Sequence, residues 1–235
     1  MSASEDLFLE PENFSGTARV FPLPNLVLFP HVLQPLHIFE PRYRELLEEA
    51  LSGDRLIAMG LLAPGWESDY EGRPPVCPVA CLGRVASHQK LEGGRYNILL
   101  AGLKRVRLVK ELPPTKMFRE FQVGLHEDFY PVETAAGRAG LQRKLLDAFR
   151  HLLPDVPETR EQLEQLLKAG ISLGTLSDIV AYTLDMAVEN KERLLREQNV
   201  DRRVALVLEH MQKAGVNPGE AAGSFKNFPP GFSNN

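Results

Sequence analysis

The spacing of apolar residues changes character about halfway along the chain. From Arg19 to about Asp128 they come in short runs or alternate with polar residues, the period of β-strands. Val20-Phe21, Val27-Leu28-Phe29 and Leu36 to Phe39 are short apolar pieces punctuated by Pro22, Pro24, Pro30 and Pro35. Proline brings no amide hydrogen to a ladder, so these pieces predict strands that are short or lie at edges and barrel rims. Arg55 to Leu62 predicts a buried strand, and Phe118 to Leu125 the last one. Between them, Leu82 to Leu91 and Tyr96 to Val109 flank Glu92-Gly93-Gly94-Arg95, a strong hairpin signal. One helix interrupts this half. Pro41 suits the first helical position, where its missing amide hydrogen costs nothing. Tyr43, Leu46, Leu47, Ala50 and Leu51 then form one stripe, and Ser52-Gly53 ends it.

After Pro131 the period becomes helical. Leu141, Leu145, Leu146, Phe149 and Leu152 mark one helix, closed by Pro154 and Pro157, and Leu163, Leu166 and Leu167 mark a second. Thr175-Leu-Ser-Asp178 reads as a capping box opening a third, with Leu176, Ile179, Val180, Thr183, Leu184 and Ala187 on one side. A basic segment, Lys191 to Arg196, leads into a last helix carrying Val204, Val207, Leu208 and Met211 and stopped by Gly215. The expected organisation is a flexible N-terminus over residues 1–16, a β-rich half over 17–130, a helical half over 131–216 and a disordered tail over 217–235. Phe225, Phe228 and Phe232 are unusual for such a tail, which normally carries few aromatics. They predict docking onto the chain's own body or onto a partner.

Composition narrows the class. With 43% hydrophobic and 25% charged residues, the 235-residue chain can bury a core that needs neither disulfide nor metal. Cys77 and Cys81, on a strand, would lie roughly 13 Å apart at about 3.3 Å per residue, beyond the ~7 Å a disulfide tolerates. Free thiols and an acidic start without an apolar stretch predict a cytoplasmic protein with no membrane contact. A net charge of -4 argues against nucleic acid as a partner.

No reactive centre emerges. Gly170-Ile-Ser-Leu-Gly174 matches the G-x-S-x-G elbow, but that motif needs a strand before its serine, and helices flank Ser172. His31, His37, His88, His126, His151 and His210 have no metal-ligand spacing, and Cys77-Pro-Val-Ala-Cys81 lacks the pairing of a zinc site. No catalytic residue, metal or cofactor is expected. Lys104, Arg105, Arg107 and Lys110 form the best basic patch, with Arg105 and Arg107 on one strand face. They carry the alternative reading, an RNA-binding barrel, although no aromatics interleave to stack bases.

Phe21-Pro-Leu-Pro-Asn-Leu-Val-Leu-Phe-Pro30 and Gln34-Pro-Leu-His-Ile-Phe-Glu-Pro-Arg-Tyr-Arg44 resemble the opening of the Lon protease N-terminal domain family, its stand-alone bacterial members above all. Ala101-Gly-Leu-Lys-Arg-Val-Arg107, Leu176-Ser-Asp-Ile-Val180 and Asp201-Arg-Arg-Val204 resemble its later landmarks, so the likeness spans residues 19 to 212. It implies an α+β fold, a PUA-like mixed β barrel followed by a C-terminal helical bundle. It also implies recognition of substrate polypeptide and a part in organising the oligomer; unfolded or client polypeptide is the expected partner, and whether a separate protease or chaperone joins it stays open. The G-x-x-x-x-G-K-[ST] loop of the family's ATPase is absent, and no length remains for a Ser–Lys peptidase, so the expected chain is not an enzyme. The cleft between barrel and helices is the expected groove, lined by Phe29, Pro30, His31 and Phe39. The sequence leaves the oligomeric state open.

Overall fold

The computed structural model describes residues 15–152, 170–213 and 233–234. The helix expected around Leu163, Leu166 and Leu167, the aromatic residues Phe225, Phe228 and Phe232, and residues 1–14 lie outside them. The first half carries strands β1 (Thr17–Leu23), β2 (Leu33–Ile38), β3 (Leu56–Leu61), β4 (Val79–Lys90), β5 (Tyr96–Glu111) and β6 (Arg119–Leu125), with helix α1 (Pro41–Ser52) between β2 and β3. Helices α2 (Arg138–Leu152), α3 (Leu173–Thr183), α4 (Val188–Arg196) and α5 (Val200–Lys213) follow. Ser233–Asn234, from the tail expected to be disordered, form a short strand β7.

Five strands close into a ring. β1 runs parallel to β3, β3 antiparallel to β4, β4 to β5, β5 to β6, and β6 back to β1. Register shifts at Leu82/Gly83, Val85/Ser87 and Leu108/Lys110 bend the long hairpin enough for closure. The lumen of so small a barrel is narrow. Ala18, Val20, Ala58, Ala80, Leu82, Val106 and Phe121 fill it, and their small members let the strands come close. The alternate residues face outward into a second and larger core. Phe21, Leu23, Ile57, Met59 and Cys81 meet Tyr43, Leu46 and Leu47 of α1, and that core continues to Leu176, Val180, Leu194, Val204 and Val207 of the later helices. Strand β3 is therefore buried on both faces. This is the α+β architecture that the resemblance implied.

β2 lies outside the ring. It pairs antiparallel with the first half of β5, Leu33 opposite Ala101 and Ile38 opposite Tyr96, while β4 holds the other side of that same stretch.

Three local expectations change. Val27-Leu28-Phe29 is buried but forms no strand, because Pro24 and Pro30 bracket it and it serves as a loop crossing β5. The loop is pinned at Gly102, whose carbonyl accepts from the amide of His31 and whose own amide donates to Val32, each at 2.9 Å. A side chain at Gly102 would come within 2.0 Å of the Phe29 carbonyl oxygen, so only glycine allows the crossing. Helix α3 begins at Leu173, because the Ser172 side chain accepts the Thr175 amide at 3.0 Å, so the cap lies three residues before the expected box. The basic segment before the last helix is itself helical, as α4.

Candidate functional site

The junction between barrel and helices, the expected groove, is filled. The outward core crosses it without a break, and a buried ionic cluster ties it shut. Arg105 of β5, 4% exposed, turns inward: its guanidinium donates to both oxygens of Asp178 on α3, at 2.9 and 2.5 Å, and its Nε donates to the Leu195 carbonyl at the end of α4. Arg203 of α5, fully buried, forms a second fork onto Asp128 at 2.8 and 2.7 Å and donates to Ser177 Oγ and the Glu197 carbonyl. Burial disfavours the charged form of Asp128. The hydrogen bond and charge of Arg203, with the charge of Arg105, outweigh that and hold its carboxyl below the ordinary value. A side chain at Gly174 would collide with Asp128 Oδ2, so the first turn of α3 carries glycine where it meets the linker from the barrel. Two bidentate forks leave few polar atoms unmatched, which is the condition for burying such charges.

This corrects the basic patch. Arg105 belongs to the interior, and of the pair expected on one strand face only Arg107 is exposed, with Lys104 and Lys110 near it in sequence. The RNA reading loses its central side chain. The partners of Arg105 were missed because they lie 23 to 90 residues away in sequence. One trace was available: Asp178 interrupts the apolar stripe of Leu176, Ile179 and Val180, and Arg203 adjoins the buried Val204.

The four residues expected to line the groove are split. Phe29, 0% exposed, and Pro30 are interior and cannot meet a ligand in this structure. His31 is exposed, held at a positive φ of 65° by the loop crossing. Phe39 is 39% exposed and stacks on His37 at 6.0 Å between ring centres. His31 and Phe39 thus bracket β2, one on each side of it in sequence. Leu33, at the start of that strand, is 51% exposed, whereas Leu36 and Ile38 point into the core. The Tyr182 hydroxyl of α3 lies 3.0 Å from Gln34 Oε1 and 3.3 Å from the Leu33 carbonyl, so a helix covers the beginning of the strand. His37 is fixed from the β5 side, its Nδ1 2.7 Å from Asn97 Oδ1.

A pocket of about 230 Å³ opens elsewhere, beside the N-terminal turn of α1. Tyr43, Tyr70 and Phe118 line it together with Arg42, Arg73 and Arg119. Each guanidinium already holds a carboxylate: Arg42 pairs with Glu40, and Arg73 and Arg119 share Glu111. Those pairs present no unmatched charge to a ligand.

The residues weighed for chemistry have structural roles. Ser172 caps α3. Cys77 and Cys81 are free, and burial pushes both thiols up, away from the reactive thiolate. Among the described residues no cluster of His, Cys, Asp or Glu is arranged to hold a metal ion, and no helix is long and apolar enough to cross a membrane.

Comparison with known proteins agrees with this geometry. The family model described as the ATP-dependent protease La (LON) substrate-binding domain matches residues 17–213. Lon protease of Desulfosudis oleivorans is 25% identical over 195 residues, 81% of this chain and 23% of that protein, and Lon protease of Roseiflexus castenholzii is 26% identical over 205 residues, 87% of this chain and 25% of that one. The chain therefore spans about a quarter of the length of these curated relatives. Among solved structures, the N-terminal domain of Mycobacterium avium complex Lon protease superposes with a TM-score of 0.63 at 14% identity, covering 83% of this chain and 98% of that one. The Lon N-terminal domain protein from Xanthomonas campestris gives 0.54 at 19% identity, covering 82% and 97%. With its closed mixed barrel, the helices packed against it and a family match over nearly all the described residues, the chain belongs to the Lon substrate-binding domain family.

Proposed function

We propose that this chain is a non-catalytic polypeptide-binding module that receives unfolded or client segments in the cytoplasm and acts beside a separate protease or chaperone. The observation that carries the reading is the apolar surface left open along β2, in a family described by substrate binding. Phe21, Leu23, Val27, Leu28, Phe29, Val32, Leu36 and Ile38 of the proline-rich opening are sealed into the core, yet Leu33 and Phe39, at the two ends of β2, stay 51% and 39% exposed. Such a pair offers an extended chain two apolar footholds about one strand length apart.

The test is a fluorescence-anisotropy titration with a reduced, carboxymethylated and therefore permanently unfolded protein. The double substitution Leu33→Ser and Phe39→Ser is expected to weaken binding by about tenfold, on the scale of losing partial burial of two apolar side chains. Its melting temperature should stay close to that of the parent. Unchanged affinity in the double variant, or no binding by the parent, defeats the reading.

A further inference from the structure

β2, which lies outside the closed ring, does not stand alone. Ser233–Asn234 lie against its outer edge, parallel to it, with Ser233 opposite Leu36 and Asn234 opposite His37. We propose that the outer edge of β2 is a strand-addition site, that its resident occupant is the chain's own C-terminal segment, and that an extended client segment binds there by displacing it. The proposal rests on the polypeptide-binding reading above and gives it a place, a geometry and a regulator.

Each strand of the ring is closed by a neighbour on either side over part of its length, whereas the ring holds β2 through β5 alone, so all of its other edge is open to pairing. Exposed edges are templates for further strands, and soluble proteins usually blunt them with lysine, with bulges or with a covering element. β2, Leu33-Gln-Pro-Leu-His-Ile38, carries no charged residue and no register shift against β5. Two features limit where addition can occur. Tyr182 of α3 sits over Leu33 and Gln34, and Pro35 has no amide to offer. The usable stretch is Leu36 onward, which is where β7 is found.

The occupant suits a temporary role. Two residues of serine and asparagine supply main-chain pairing with little apolar surface to bury. In a parallel register, a client residue two places beyond the one opposite His37 reaches the level of Phe39. The favoured client is therefore an extended segment with an apolar or aromatic residue at that position, resting on the exposed ring. Such a segment brings to the edge a contact that serine and asparagine do not. Attachment through residues 214–232 makes the tail an intramolecular competitor, so it scales the apparent client affinity by the fraction of time the edge is vacant.

Two variants of the full chain test this: removal of residues 233–235, and the double substitution Ser233→Pro with Asn234→Pro, which takes away both amide donors. Amide hydrogen exchange over Leu36–Phe39 reads the occupant directly, without any client. It should quicken in both variants, while exchange in β3 stays unchanged. The carboxymethylated unfolded protein reads competition, and both variants should bind it about three- to tenfold more tightly than the parent, as expected for an edge vacant between a tenth and a third of the time. Exchange at β2 that does not change overturns the proposal whatever the client does. Faster exchange with equal client binding in parent and variants overturns the competition alone. Faster exchange with no client binding by any chain overturns the polypeptide-binding reading, and client displacement with it.

Discussion

Two places join distant stretches of this chain, and they are made of opposite materials. At the junction, Arg105 and Arg203 form double forks onto Asp178 and Asp128, three of the four wrapped almost entirely in the core. At β2, two residues of the tail rest on main-chain pairing along a strand edge. The first arrangement tolerates no loss of a partner, because the charge left behind stays buried. On the strand-addition proposal, the second can be made and unmade with little consequence for the rest of the fold. Apolar content does not separate a sealed contact from an exchangeable one here; geometry and solvent access do.

The contrast can be broken at its strong end. Asp178→Ala strands Arg105 inside the protein and should cost about 3–5 kcal/mol by urea denaturation, whereas the double change Arg105→Met with Asp178→Leu should recover much of that loss. A single variant as stable as the parent would remove the junction from the comparison. Gly102→Ala comes next. Its new methyl group meets the Phe29 carbonyl oxygen, so the crossing loop must shift, at about 1–3 kcal/mol or a fall of several degrees in melting temperature. Leu33→Ser, at the weak end, should stay within about 0.5 kcal/mol in the same assay, as surface changes generally do. A large loss there would make the edge of β2 part of the core.

How much of this was legible follows from the range of each interaction. The β4–β5 hairpin, helix α1 and the stripes of the later helices were readable, because turn residues and periodicity act over a few positions. The Lon-like opening announced the family, but its apolar content did not say which residues face outward: Phe29 is interior and Phe39 half open. Arg105 looked like one member of a solvated basic row, since alternation places a residue on a face without saying what covers that face. Ser172 hid in a catalytic pattern while serving as a cap. β7 had no sequence signal, being two polar residues long.

Arg105 also bears on how the molecule comes into being. It belongs to the β-rich half that leaves the ribosome first, yet its partners Asp178 and Leu195 are made 73 and 90 residues later. Until they arrive, its charge is best left in water, so the final closure of the outward core waits for the helices. The boundary near residue 130, so plain in the hydrophobic pattern, is then a boundary of architecture crossed by one continuous core, and the two halves are expected to gain their stability together.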